Sequence, residues 1–138
     1  MTKEKITIEC VVNKPINLVW DAWTKPEHII NWNFASPDWH APAAENDFKV
    51  GGKFSYRMEA KDGSMGFDFW GTYNDIKPHQ YIEYTMGDDR KAWITFTANG
   101  NETKITESFE AETQNPVELQ KMGWQAILNN FKQYTETL

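Results

Sequence analysis

Asn115-Pro-Val-Glu-Leu-Gln-Lys-Met-Gly-Trp124-Gln-Ala-Ile127-Leu128-Asn-Asn-Phe131-Lys-Gln-Tyr134 is the stretch on which the fold turns. Asn115 has a capping side chain, Pro116 suits the first helical position, and Glu118 has the spacing of a capping box. Val117, Trp124, Ile127, Leu128, Phe131 and Tyr134 then form a broad apolar stripe that lasts to the C-terminus. A helix of about twenty residues is about 30 Å long, enough to cross a small domain. Such a stripe has to be buried against another element.

The middle of the chain supplies that element. Ile6 and Ile8 alternate with Thr7 and Glu9 in a first strand expected from about Lys3 to Asn13. Pro15 opens a short helix with Ile16, Val19, Trp20 and Trp23 on one face. Thr24-Lys25-Pro26-Glu27 reads as a second helix start with capping-box spacing, leading to Ile29, Ile30 and Trp32. From Asn33 to Asp47 the periodicity breaks down around Phe34, Trp39 and His40, which predicts a long loop and a candidate lid.

Six further strands follow, beginning with Phe48 to Val50. After Gly51-Gly52, a tight bend rather than an anion cradle, Phe54, Tyr56 and Met58 alternate inward. Lys61-Asp62-Gly63-Ser64 is a hairpin turn, after which Phe67, Phe69, Gly71 and Tyr73 share one face and Trp70 takes the other. Lys77-Pro78-His79 turns the chain into Ile82, Tyr84 and Met86, and Asp88-Asp89 leads to Trp93, Ile94 and Phe96. Asn99-Gly100 is the strongest hairpin signal, read as the centre of a type I′ turn before a last strand from Glu102 to about Ala111. Consecutive hairpins imply an antiparallel sheet with one face covered, and only the terminal helix is long enough to cover it. The fold class is therefore α+β: a curved antiparallel sheet wrapped around a long C-terminal helix, with two short helices after the first strand, in one domain over residues 1–138.

Composition narrows the function classes. Twenty acidic residues against fourteen basic ones give a net charge of −6, which repels phosphate backbones and anionic headgroups and so argues against nucleic-acid and membrane partners. The single cysteine, Cys10, permits no internal disulfide, and Met1-Thr-Lys-Glu-Lys runs into the first strand without an apolar signal region. A cytoplasmic address follows as the expectation. Aromatic residues make up 14%, so the domain has either a very aromatic core or a ring-lined pocket.

Four blocks carry a resemblance. They are Pro15-Ile-Asn-Leu-Val-Trp20-Asp-Ala-Trp23-Thr-Lys-Pro26-Glu27 with Trp32 beyond it, Gly51-Gly52-Lys53-Phe54, Gly71-Thr-Tyr73-Asn-Asp-Ile76-Lys-Pro78 with Tyr81-Ile82-Glu-Tyr84-Thr85, and Gly123-Trp124 with Leu128. In order and content the chain resembles the START-like helix-grip superfamily. Within it, the likeness is to bacterial proteins similar to the C-terminal domain of the heat-shock protein 90 ATPase activator. The resemblance implies a deep pocket between sheet and terminal helix, where relatives bind lipids, hormones, polyketides or other apolar molecules. It implies no shared catalytic motif, so it points to a site and not to a chemistry. It also admits a homodimer, although no stretch of this sequence marks a dimer surface.

The residues allow three functional readings. The first is a module that binds a small apolar or aromatic ligand in that pocket, lined by Trp32, Phe34, Trp39, Tyr56, Phe69, Tyr73 and Tyr84, with Trp124 on the helical wall. The second is a chaperone partner that stimulates a heat-shock protein 90 ATPase. The third is a small-molecule hydrolase or cyclase with His40 or a pocket carboxylate as acid–base group. Asp68 is expected to point outward, Glu107 shares parity with Ile105 and Phe109, and a solvated sheet face is the favoured reading for Glu59, Asp68 and Glu107 alike. His28, His40 and His79 lack metal-ligand spacing, His28 and His79 are expected to be exposed, and no nucleophile–base pair can be assembled. Neither a catalytic residue, a metal nor a cofactor is assigned.

Overall fold

The computed structural model describes residues 4–138, so the expected strand start at Lys3 lies outside the described residues. The elements run β1 (Lys5–Val12), α1 (Ile16–Thr24), α2 (Pro26–Ile29), β2 (Trp39–Asn46), β3 (Lys53–Ala60), β4 (Gly66–Lys77), β5 (Tyr81–Met86), β6 (Lys91–Asn99), β7 (Glu102–Glu110) and α3 (Val117–Thr135). The strands form one antiparallel sheet in the order β1-β7-β6-β5-β4-β3-β2. Every step from β2 to β7 is to a sequence neighbour, and β1 closes the far edge by pairing with β7. The crossing from β1 to β2 is made by the two short helices.

Alternation decides which face of the sheet is concave. Ile6 and Ile8 of β1, Phe54, Tyr56 and Met58 of β3, Ile82, Tyr84 and Met86 of β5, and Ile94 and Phe96 of β6 are all buried. Trp70 faces the opposite side, 45% exposed. A bulge at Asn74, between the pairs Tyr73↔Tyr84 and Asp75↔Glu83, resets the parity so that Tyr73 and Ile76 both join the core. Helix α3 lays Leu128 and Phe131 into the concave face, both fully buried. Its C-terminal end is pinned to β1, where Lys132 Nζ donates to the Val11 carbonyl at 2.6 Å and the Asn13 N–H donates to Glu136 Oε2 at 2.8 Å. Among the described residues no helix is long and apolar enough to cross a membrane.

Five local expectations are corrected. The stretch Asn33 to Asp47 is not one loop: Trp39–Asn46 is the edge strand β2, and Phe48 to Val50, expected as a strand, lies in the turn after it. A register shift between His40 and Ala43 hides the alternation of β2, and Pro42 is tolerated there because an edge strand need not donate every N–H. The second helix ends at Ile29, leaving Ile30 and Trp32 beyond it. No capping box forms at Thr24, whose hydroxyl donates to the Trp20 carbonyl at 2.8 Å. Nor does Asn115 cap α3; Pro116 is its N-cap, and the Gln120 side chain ties the helix start to the Glu112 N–H and the Asn115 carbonyl.

The two glycine turns behave differently. At Gly51-Gly52 the bend is as expected: Gly51 has φ +83°, and a Cβ on Gly52 would stand 2.1 Å from the Asp47 carbonyl oxygen. The β6–β7 hairpin is shifted by one residue, since Asn99 pairs with Glu102 and the central residues are Gly100 and Asn101. Only Gly100 has positive φ, the pattern of a type II′ turn rather than the expected I′.

Candidate functional site

Aromatic side chains build the space under α3. Trp20 of α1 meets Phe96 edge-on at 5.1 Å, while Trp23 and Trp32 contact Phe131 of α3 at 4.8 and 4.9 Å. The Trp32 indole N–H is satisfied by the Ala22 carbonyl at 3.0 Å. On the sheet, Phe54 lies within ring contact of Tyr56, Phe69, Tyr73 and Tyr84. These two groups do not meet everywhere. Between them lies a cavity of about 240 Å³, bounded by the sheet on one side and by Trp124, Ile127 and Leu128 of α3 on the other. Phe67 lines this space yet is 48% exposed, so the cavity opens to solvent beside it.

Six of the eight residues expected at the pocket line this cavity: Trp32, Tyr56, Phe69, Tyr73, Tyr84 and Trp124. Phe34 and Trp39 do not. Phe34 is half-buried, and its carbonyl accepts from Asn130 of α3, so it braces the helix from outside. Trp39 stands one ring away, 5.9 Å from Phe67, because β2 carries it along the sheet edge.

The polar groups of the lining sort into satisfied and unsatisfied ones. Tyr56 hydrogen-bonds to Tyr73, whose hydroxyl donates to Asn46 Oδ1 at 2.6 Å, and Asn46 Nδ2 donates on to the Thr24 carbonyl at 2.6 Å. Burial pushes the Tyr73 phenol up to about 12 and the Tyr56 and Tyr84 phenols well above their ordinary range, so all three stay neutral donors. Arg90 also lines the cavity; its Nε donates to Asp88 Oδ2 at 2.7 Å and its Nη1 to the Glu110 carbonyl at 3.1 Å. By contrast, Asn33 Nδ2 is buried at the cavity without a partner among the described residues. Glu107, on the same lining, is only 6% exposed, and burial pushes its carboxyl up to about 8. The favoured expectation of a solvated Glu107 is therefore corrected: its parity with Ile105 and Phe109 carries it inward.

The other polar candidates gather elsewhere. Glu59, Asp68 and His40 form one half-exposed surface network around Arg57. In it Arg57 Nε lies 2.8 Å from Glu59 Oε2, Nη1 lies 3.5 Å from Asp68 Oδ1, and His40 Nε2 lies 3.8 Å from Glu59 Oε1. None of these residues lines the cavity, so an acid–base role for His40 on a pocket occupant has no geometric support. His28, expected to be exposed, is instead half-buried, with Nδ1 2.6 Å from the Tyr134 hydroxyl; His79 is exposed in its turn. Burial raises the Cys10 thiol to about 12, so it is inert. Among the described residues no group of three or more His, Cys, Asp or Glu is placed to hold a metal ion.

The family model for Activator of Hsp90 ATPase homolog 1-like protein matches residues 13–136. The chain belongs to the AHSA1-like family. It is similar to an AHSA1-like protein from Aeromonas hydrophila known from its solution structure, with 42% identity over 97% of this chain and 93% of that one and a TM-score of 0.91. It is also similar to a protein from Cytophaga hutchinsonii, with 56% identity over 96% of this chain and 92% of that one and a TM-score of 0.83. A Chromobacterium violaceum protein shares the fold at 23% identity, with a TM-score of 0.86 over 96% of this chain and 98% of that one. No curated protein matches the chain. The AHSA1-like fold thus accounts for the helix-grip arrangement, and Asn33, Arg90 and Glu107 are polar lining residues to which sequence reasoning assigned no place in the site. Glu107 alone left a signal, its inward parity on β7.

Proposed function

We propose that this AHSA1-like protein is a cytoplasmic binding module that holds a small apolar or aromatic molecule in the cavity between its sheet and α3. The observation that carries this reading is the cavity itself: about 240 Å³ of ring-lined space that opens to solvent at Phe67 and has the Asn33 amide in its wall without a partner among the described residues. A dry apolar cavity of roughly 150 Å³ is large enough to take up benzene. The present one has room for one or two fused rings. Burial of apolar surface would supply most of the affinity, and the tyrosine hydroxyls would fix orientation.

Naphthalene should raise the melting temperature of the wild-type protein in a dose-dependent way. It should leave Ile127→Trp, in which a larger ring fills the cavity from α3, unmoved. Equal stabilisation of both proteins would place the compound elsewhere and overturn the reading.

A second reading, a chaperone partner, rests on the description of the family and on Leu119 and Met122. These lie three residues apart near the start of α3 and are 56% and 68% exposed. A purified heat-shock protein 90 homologue should then bind the wild-type chain and lose affinity for Leu119→Asp; no association with the wild type disposes of it.

A further inference from the structure

Glu107 stands on β7, one strand in from the sheet edge, paired with Ile8 on β1 and Ile94 on β6. Both neighbours are buried, at 2% and 0% exposure, so the carboxyl has hydrocarbon on either side and the cavity in front. It makes no hydrogen bond or ion pair among the described residues, and burial is what raises its proton affinity. Its charge is sensed by Tyr84 of β5 and by Cys10 of β1. Among the described residues Arg90 is the one cation of the cavity lining, and its guanidinium is engaged by Asp88 and the Glu110 carbonyl. A carboxyl set in an apolar cavity wall without a protein partner is a polar group placed for an occupant to satisfy.

We infer that the molecule held in the cavity carries a basic amine that pairs with Glu107, with its apolar body among the rings of Phe54, Tyr56, Phe69 and Trp124. This rests on the ligand-binding reading and names the chemistry of the ligand. An ammonium group offers donors for a charge-assisted bond to the carboxylate, and its charge is also favoured by surrounding aromatic faces. The net charge of −6 draws organic cations toward the protein and repels anions. Near pH 7 the amine arrives protonated and the Glu107 carboxyl arrives neutral. The pair forms when the carboxyl proton leaves to solvent, so each molecule bound releases close to one proton.

The test is a matched trio titrated calorimetrically at pH 7: naphthylethylamine, naphthylethanol and naphthylacetate. The amine should bind the wild-type protein about tenfold tighter than the alcohol, the scale of a charged hydrogen bond, and the acetate should bind weakest. Repeating the amine titration in buffers of different ionisation heat should show the proton release, which the alcohol should lack. Glu107→Gln, nearly isosteric, should abolish the amine's advantage while keeping the alcohol's affinity. An alcohol or acetate that binds as tightly as the amine overturns the inference, as does an amine preference that survives Glu107→Gln or amine binding without proton release. If none of the three binds, the ligand-binding reading itself fails and this inference with it.

Discussion

Phe109 of β7 and Trp124 of α3 stack face to face, with ring centroids 3.8 Å apart and planes 9° from parallel. The contact fixes the helix over the sheet at the cavity, and Trp124 also meets Phe69 edge-on at 6.0 Å. One indole therefore both holds the grip and forms cavity wall. Trp124→Ala should cost about 3 kcal/mol, the lower end of the range for removing a packed tryptophan, because the site is only partly buried. Urea unfolding checks this, and a loss below about 1 kcal/mol would mean that the stack contributes little.

The tyrosine relay should be costly to interrupt. Tyr73→Phe deletes the hydroxyl between Tyr56 and Asn46 and takes a partner from each, the first buried and the second half-buried. A destabilisation of about 1–3 kcal/mol is expected. Tyr84→Phe removes a hydroxyl that has no hydrogen bond among the described residues and should be nearly neutral. Equal losses for the two variants would contradict the relay.

Glu107 should give stability a distinctive pH dependence. Its folded-state value of about 8 lies above the ordinary 4.5, so the native state holds a proton that the unfolded chain has released. Between those limits stability from this group falls as pH rises, by up to about 1.4 kcal/mol per pH unit. Below the lower limit the contribution is fully present, and above the upper one it is lost. Glu107→Gln should flatten this slope and be the more stable protein at pH 8.5, measured by denaturant unfolding across the range. Parallel profiles for wild type and variant would show that the carboxyl is not held neutral.

Two glycines separate conformational need from simple space. A Cβ at Gly123, inside α3, would meet nothing within 4 Å, so Gly123→Ala should stabilise by about 0.5–1 kcal/mol through helix propensity. At Gly52 the same change puts a methyl group 2.1 Å from the Asp47 carbonyl oxygen, so Gly52→Ala should lower the melting temperature sharply. Thermal melts of the pair should move in opposite directions.

The sequence made the grip legible because its elements obey their periods. The stripe on α3 and the alternation of Phe54, Tyr56 and Met58 place the long helix over the right face of the sheet. Strand β2 escaped notice because Trp39–Asn46 holds a proline, three alanines and a register shift, and an edge strand needs neither steady alternation nor high β-propensity. That error carried Phe34 and Trp39 into the expected pocket wall. Asn33 and Arg90 were missed for another reason. A residue in a turn has no parity, so only its tertiary neighbours show that it faces the cavity. The Glu107 parity was readable, but a carboxylate in a strand is ordinarily solvated, and the general preference outweighed the local sign.

The most direct test of the central claim is an NMR titration of the wild-type protein with naphthalene, following the indole N–H signals of all seven tryptophans. Trp23, Trp32 and Trp124 line the cavity and should shift and saturate together, while Trp70 and Trp93, on the opposite face of the sheet, stay fixed. Shifts at Trp70 or Trp93 with none at Trp32 and Trp124, or no saturable shift at all, would contradict a ligand site beneath the C-terminal helix.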